Sequence, residues 1–204
     1  VTILLSDPRV AAVPLHENGE PLVRLPETFG PARAAVRAGL AQRLRGAQSL
    51  LPRGVHLRVV EGHRPLEQQQ AIIDRYTAQV RAAHPQAGEA ELPDLVARFV
   101  SPVAVAPHVA GAAVDLEMVD ASGHLLDLGT PVDATPEESR GACFFDSPRI
   151  SAEARANRRL MGAALTANGM VNYPTEWWHW SYGDRYWALT TGAPAAIYGS
   201  GVAA

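Results

Sequence analysis

Apolar residues along this chain follow two different periods, and the switches between them outline its elements. In GPARAAVRAGLAQRLRGAQSLLP, Val36, Leu40, Leu44 and Ala47 recur at helical spacing, and Pro31 sits where a first-turn proline belongs. That predicts a helix over about 31–51. VHLRVV, residues 55–60, alternates with period two and predicts a strand. RPLEQQQAIIDRYTAQVRAAH returns to the helical period, with Pro65 marking a start and an expected end near residue 83. Residues 84–107 are bounded by prolines and read as an insertion carrying a short helix at 91–100. GAAVDLEMVD, ASG and HLLDLG read as a β-hairpin turning at Ser122-Gly123. Residues 129–150, rich in Pro, Asp and Ser, predict a loop. The next helix has a cap candidate at Ser151, an acid at Glu153 and a stop at Asn168-Gly169. MVNYPTEWWHWSYG is expected to be extended, with a strand around 177–182. Residues 1–30 read as an irregular arm with one short strand, and the tail beyond Gly192 is expected to fray.

One tight hairpin without regular βαβ alternation predicts an α+β fold: helices packed on a small, largely antiparallel sheet. A length of 204 residues suits a single domain, 1–204, with a sizeable core. The composition, 47% apolar and 19% charged, is that of a globular chain. A net charge of −3 with interspersed arginines leaves no basic stripe, so neither nucleic acid nor an anionic membrane is expected as a partner. Apolar runs are too short to span a bilayer. Cys143 stands alone, which excludes an internal disulfide and a cysteine zinc knuckle; it reads as a packed small residue. VTILLSDPRV is too short for a signal peptide and has no basic segment before it. The expected compartment is the cytoplasm, with a removed leader as an open alternative because the chain starts at Val.

Candidate chemistry gathers in two segments. His16, His56, His84 and His124 lie in polar or turn-like stretches and need no function, whereas His108 precedes a glycine turn and a strand holding Asp115. A carboxylate inside AAVDL should be half buried, which is costly unless it is paired or bound to metal. His108 and Asp115 therefore read either as a loop-closing hydrogen bond or as two ligands of a metal such as zinc. PTEWWHW, residues 174–180, concentrates three tryptophans around Glu176 and His179. On a strand, His179 points away from Trp178 and Trp180, so the aromatics make a rigid wall and the polar groups face a site.

Taken in order, H-x-x-G-x-A-x-D (His108, Gly111, Ala113, Asp115) and E-x-W-H (Glu176, Trp178, His179) resemble the zinc D-Ala-D-Ala metallopeptidases. EWWH is most similar to the D-Ala-D-Ala dipeptidase branch known from vancomycin resistance, and the likeness spans about residues 55–190. The resemblance implies a fold shared with hedgehog domains and DD-peptidases. It implies one zinc ion per chain on His108, Asp115 and His179, with Glu176 as catalytic base. EGHRP resembles the family's strand-end motif, making Arg64 the group that stabilises the transition state. LGTPVD resembles the segment whose acid meets the substrate's free amine, here Asp133, and Trp178 is expected beside the substrate. The implied substrate is a small dipeptide, D-Ala-D-Ala above all. The chain departs from the family pattern at Ala106, where a hydroxyl residue is common, and at Val109 and Ala110. Two other readings stay open: a carboxypeptidase trimming cell-wall stem peptides, and a zinc-bearing binding domain without catalysis. A purely structural zinc site needs neither Glu176 nor Arg64, which favours an enzyme.

Overall fold

The computed structural model describes residues 2–96 and 100–200, leaving out the side chains of residues 93 and 94. In chain order the elements are α1 (Pro8–Ala12), β1 (Leu22–Arg24), β2 (Ala35–Arg37), α2 (Ala38–Leu50), β3 (His56–Glu61), α3 (Leu66–Ala83) and α4 (Leu92–Val96). There follow β4 (Ala113–Val119), α5 (Pro136–Ser139), α6 (Ala152–Ala167), β5 (Val171–Asn172), β6 (His179–Ser181) and α7 (Arg185–Thr191). The α+β expectation holds: a four-stranded sheet, ordered β3-β4-β6-β5 and antiparallel throughout, carries helices, and β1 pairs with β2 in a separate ribbon.

The sheet is two-faced because β4 alternates. Val114, Leu116 and Met118 enter the main core with Leu57 and Val59 of β3 and Trp180 of β6. Leu40, Leu44 and Ala47 of α2 and Met161 and Leu165 of α6 close that core from the other side. Burying a side chain of this size is worth roughly 1.5–3 kcal/mol. The intervening residues, Asp115 and Glu117, point to the opposite face. Glu117 there accepts two hydrogen bonds from Arg58 across the strand pair. The third element that frames this face is α3, whose end and whose junction with α4 are held by Val80, Leu92 and Val96.

Several expectations need correction, among them the loop expected over 129–150, which carries the short helix α5 behind a capping box at Thr135. The helix expected over 31–51 begins only at Ala38. Residues 35–37 instead form a strand whose Val36 faces Val23 of β1, so backbone pairing with a distant segment overrides the helical period. The second hairpin strand does not form; only a bridge between Val119 and Leu125 remains. One edge of β4 is taken by β3 and the start of the other by β6, while Asp120 Oδ1 accepts from the amides of Ser122 and His124 and closes a local turn. The tail does not fray as far as it is described. Ala196 exchanges backbone hydrogen bonds with Pro14 and His16, and Tyr198 is buried with its hydroxyl donating to Glu20. Residues 201–204 lie outside the described residues. The N-terminal arm holds α1 as well as the single strand expected there. The short helix expected at 91–100 is realised as α4, and residues 97–99 lie outside the described residues. Among the described residues no helix is long and apolar enough to cross a membrane.

Candidate active site

Register places the first two polar groups. Asp115 on β4 lies directly opposite His179 on β6, so both side chains emerge side by side on the face away from the core. His108 arrives from the turn before β4, where Gly111 takes φ +65° and donates its amide to the His108 carbonyl. The backbone conformation is what favours glycine here; a Cβ would also meet Leu22 Cδ2 at 2.5 Å, a side-chain tip that would have to turn away.

His108 Nε2, His179 Nδ1 and Asp115 Oδ1 form a triangle with edges of 3.1, 3.2 and 3.4 Å. All three residues are buried. His108 Nδ1 is 2.8 Å from the Gly62 carbonyl, which can only accept, so Nδ1 carries a proton and Nε2 turns its lone pair inward. Asp115 Oδ1 is buried without a hydrogen-bond partner. Lone pairs converging in a dry site repel unless a cation lies between them. Three ligands of a tetrahedral ion bound at 2.0–2.1 Å stand about 3.3–3.4 Å apart, so this donor set fits zinc in size and chemistry. The electrostatics agree. Burial alone would push the Asp115 carboxyl up, but His108 and His179 hold it well below the usual range. Burial would likewise lower His108, yet Asp115 more than reverses this and draws its pKa up. A site that pulls in a proton has the negative potential that also attracts a metal.

Glu176 lies beside the triad and outside it. Its Oε2 is 3.9 Å from His179 Nδ1, and its side chain keeps 19% exposure towards the cleft. Burial pushes its carboxyl up to about 7, helped by Asp115 and Asp133 and opposed by His179 and Arg64. The turn carrying it is fixed by Asn172 Nδ2, which donates to the carbonyls of Glu176 and His179. Trp178, expected on the strand and pointing away from His179, lies instead in a turn before β6 and lines the same cleft as His179 while packing against the core with Trp177 and Trp180.

Arg64 follows a bulge in β3 between Val59 and Glu61, a device that re-aims side chains at strand ends. Its Nε and Nη2 donate to the Glu61 carboxylate at 2.7 and 2.5 Å, and Nη1 donates to Gln69 Oε1 at 2.7 Å. Gln69, itself buried, donates onward to the Ser101 carbonyl and ties the arginine to the segment before His108. Asp133 stands at the rim with φ +64°. Its carboxyl is pushed up by desolvation, then by Asp115 and Glu61, though exposure to solvent limits that rise.

All six expected polar residues and Trp178 thus line one cleft of about 360 Å³. Of the three departures, Ala106 lines this cleft, whereas Val109 and Ala110 are buried behind it. Sequence reasoning missed one whole wall. Ile72, Arg75, Tyr76 and Gln79 of α3 face the site, together with Leu5 from the N-terminal arm. Their helical spacing from Gln69 was the available signal, once Arg64 just before the helix had been placed in the site. Arg158 was also missed. It is buried on α6 and donates to the carbonyls of Leu128, Ala142, Phe144 and Phe145, organising the loop that carries Asp133. Burial lowers its pKa to about 10.

The family model described as D-ala-D-ala dipeptidase (Peptidase_M15) matches residues 30–192. A D-alanyl-D-alanine dipeptidase of Synechocystis is 25% identical, covering 87% of each chain. A D-alanyl-D-alanine dipeptidase of Escherichia coli is 36% identical over 72 residues, 35% of each chain. The solved structure of the vancomycin resistance D,D-pentapeptidase VanY, a variant in complex with Zn(II), superposes with a TM-score of 0.47 at 16% identity, covering 93% of this chain and 96% of that one.

Proposed function

The chain belongs to the D-ala-D-ala dipeptidase family, Peptidase_M15, and on that premise we propose that it is a zinc enzyme cleaving D-Ala-D-Ala into two molecules of D-alanine. The observation that carries this reading is the pairing of a cation-shaped triad with a carboxylate that is adjacent to it but not part of it. His108, Asp115 and His179 would hold the zinc. When bound, zinc supplies two effects, a lowered pKa for water and a polarised scissile carbonyl.

The protein's own residues do the rest. Glu176 takes a proton from the attacking water and later delivers it to the leaving amine. Its carboxyl, raised by burial, is matched to that exchange. A divalent cation on the triad would draw it back down, keeping Glu176 ionised as a base near neutral pH. Arg64, held by Glu61 and Gln69, retains N–H groups for the oxyanion that develops on the carbonyl. Asp133 supplies a negative charge for the substrate's ammonium, and Trp178 bounds the space for its side chain.

The test is release of free D-alanine from D-Ala-D-Ala by zinc-loaded protein, with Glu176→Ala as the blank. Release that disappears in the variant is the expected result. Zinc-loaded wild type that releases nothing would overturn the dipeptidase reading.

A further inference from the structure

The cleft contains two cationic side chains, and only one has its donors engaged. Arg64 is spent in part on Glu61 and Gln69. Arg75, on the exposed part of α3, lines the same cleft and makes no ion pair or hydrogen bond among the described residues. Its own helix offers it no acid: positions 71, 72, 78 and 79 are Ala, Ile, Ala and Gln, and Asp74 accepts from Gln70. An uncommitted guanidinium pointing into a cleft with apolar neighbours, Ile72 and Val100, is a prepared anion site.

We infer that Arg75 reads the free α-carboxylate of the substrate and so sets specificity for a peptide that ends one residue beyond the scissile bond. This rests on the peptidase reading above. Distance allows it. Gln69, which touches Arg64, and Arg75 are six residues apart, about 9 Å along the helix. One extended residue spans roughly 3.5 Å, and the long arginine side chain covers the remainder. Charge also favours it. Asp133 is a carboxylate at the rim that makes no ion pair among the described residues, and Arg64, Asp115, Glu61 and His108 are the charges that act on it. One free negative and one free positive charge on the cleft that holds the triad complement the two ends of a zwitterionic dipeptide.

The experiment compares D-Ala-D-Ala with its C-terminal amide, using zinc-loaded wild type, Arg75→Ala and Arg75→Lys. Wild type is expected to prefer the acid. Arg75→Ala should raise KM for the acid by roughly 10- to 150-fold, the range of one charge-assisted hydrogen bond, with little change in kcat. The amide's kinetics should stay as in wild type, and Arg75→Lys should recover part of the preference. An equal loss on acid and amide, or no loss on either, overturns the inference while leaving the peptidase reading intact. Calorimetric binding of both compounds to zinc-loaded Glu176→Ala gives a readout without turnover. Tighter binding of the acid that vanishes with Arg75→Ala supports the inference, and binding of neither compound overturns both it and the dipeptide reading.

Discussion

The floor and the wall of this cleft are built on different principles. The floor consists of β4, β6 and the turn at His108, where Asp115, His108 and His179 are all buried and each position follows from strand register or a required glycine. The wall is one face of α3, joined to a satellite core of Val80, Leu92 and Val96, and it shows Arg75, Tyr76 and Gln79 to the cleft. Reacting groups need to be held within a fraction of an ångström, which buried strands provide. Groups that select a substrate need free donors and charges, and on this half-open helix face Arg75 keeps its own. Gln69 links the two, with one amide end on Arg64 and the other on the Ser101 carbonyl.

Breaking the floor should have the largest effect. Chelation of zinc should cost about 4 kcal/mol of unfolding free energy when free zinc had been a thousandfold above its Kd, measured by chemical denaturation with and without chelator. Asp115→Ala should lose this difference altogether. If the variant still responds to zinc, the triad is not the metal site.

A sharper test of the floor uses Glu176 in zinc-free protein. Its pKa is raised from the ordinary glutamate range to about 7, so the folded protein binds the proton more tightly than the unfolded chain. That contribution to stability is complete below about pH 4.5 and is lost as pH rises through 7. Glu176→Gln should therefore stabilise the zinc-free protein by about 3 kcal/mol at pH 8 and make no difference near pH 4. The same variant should lose peptidase activity. A constant stability difference across that range would show that Glu176 is not destabilised by burial.

The wall should respond in selectivity more than in stability. Replacing residues 85–100 with a short glycine-serine linker removes Val100 from the cleft edge. Hydrolysis of tripeptides relative to D-Ala-D-Ala should rise on the order of tenfold, equivalent to about 1.4 kcal/mol of relieved exclusion. An unchanged length preference would place the barrier elsewhere, for example at Leu5.

What the sequence determined by itself was local. The helices over α3 and α6, the Ser151 cap, the strand at β3 and the alternation around Asp115 follow from side-chain period and capping chemistry within a few residues. The site residues were legible because their spacing resembles a family's, while their buried partners were not. Only the tertiary structure decided that Val36 belongs to a strand, that the tail at Ala196 pairs with the N-terminal arm, and that Arg158 organises the Asp133 loop through four carbonyls. It also decided that Asp115 faces His179 across 64 residues of chain and that Arg75 looks into their cleft. Period and capping report how a segment relates to its own neighbours. A strand's partner, a buried arginine's acceptors and the outlook of a helix face depend on segments far away in the chain, and no local pattern records them.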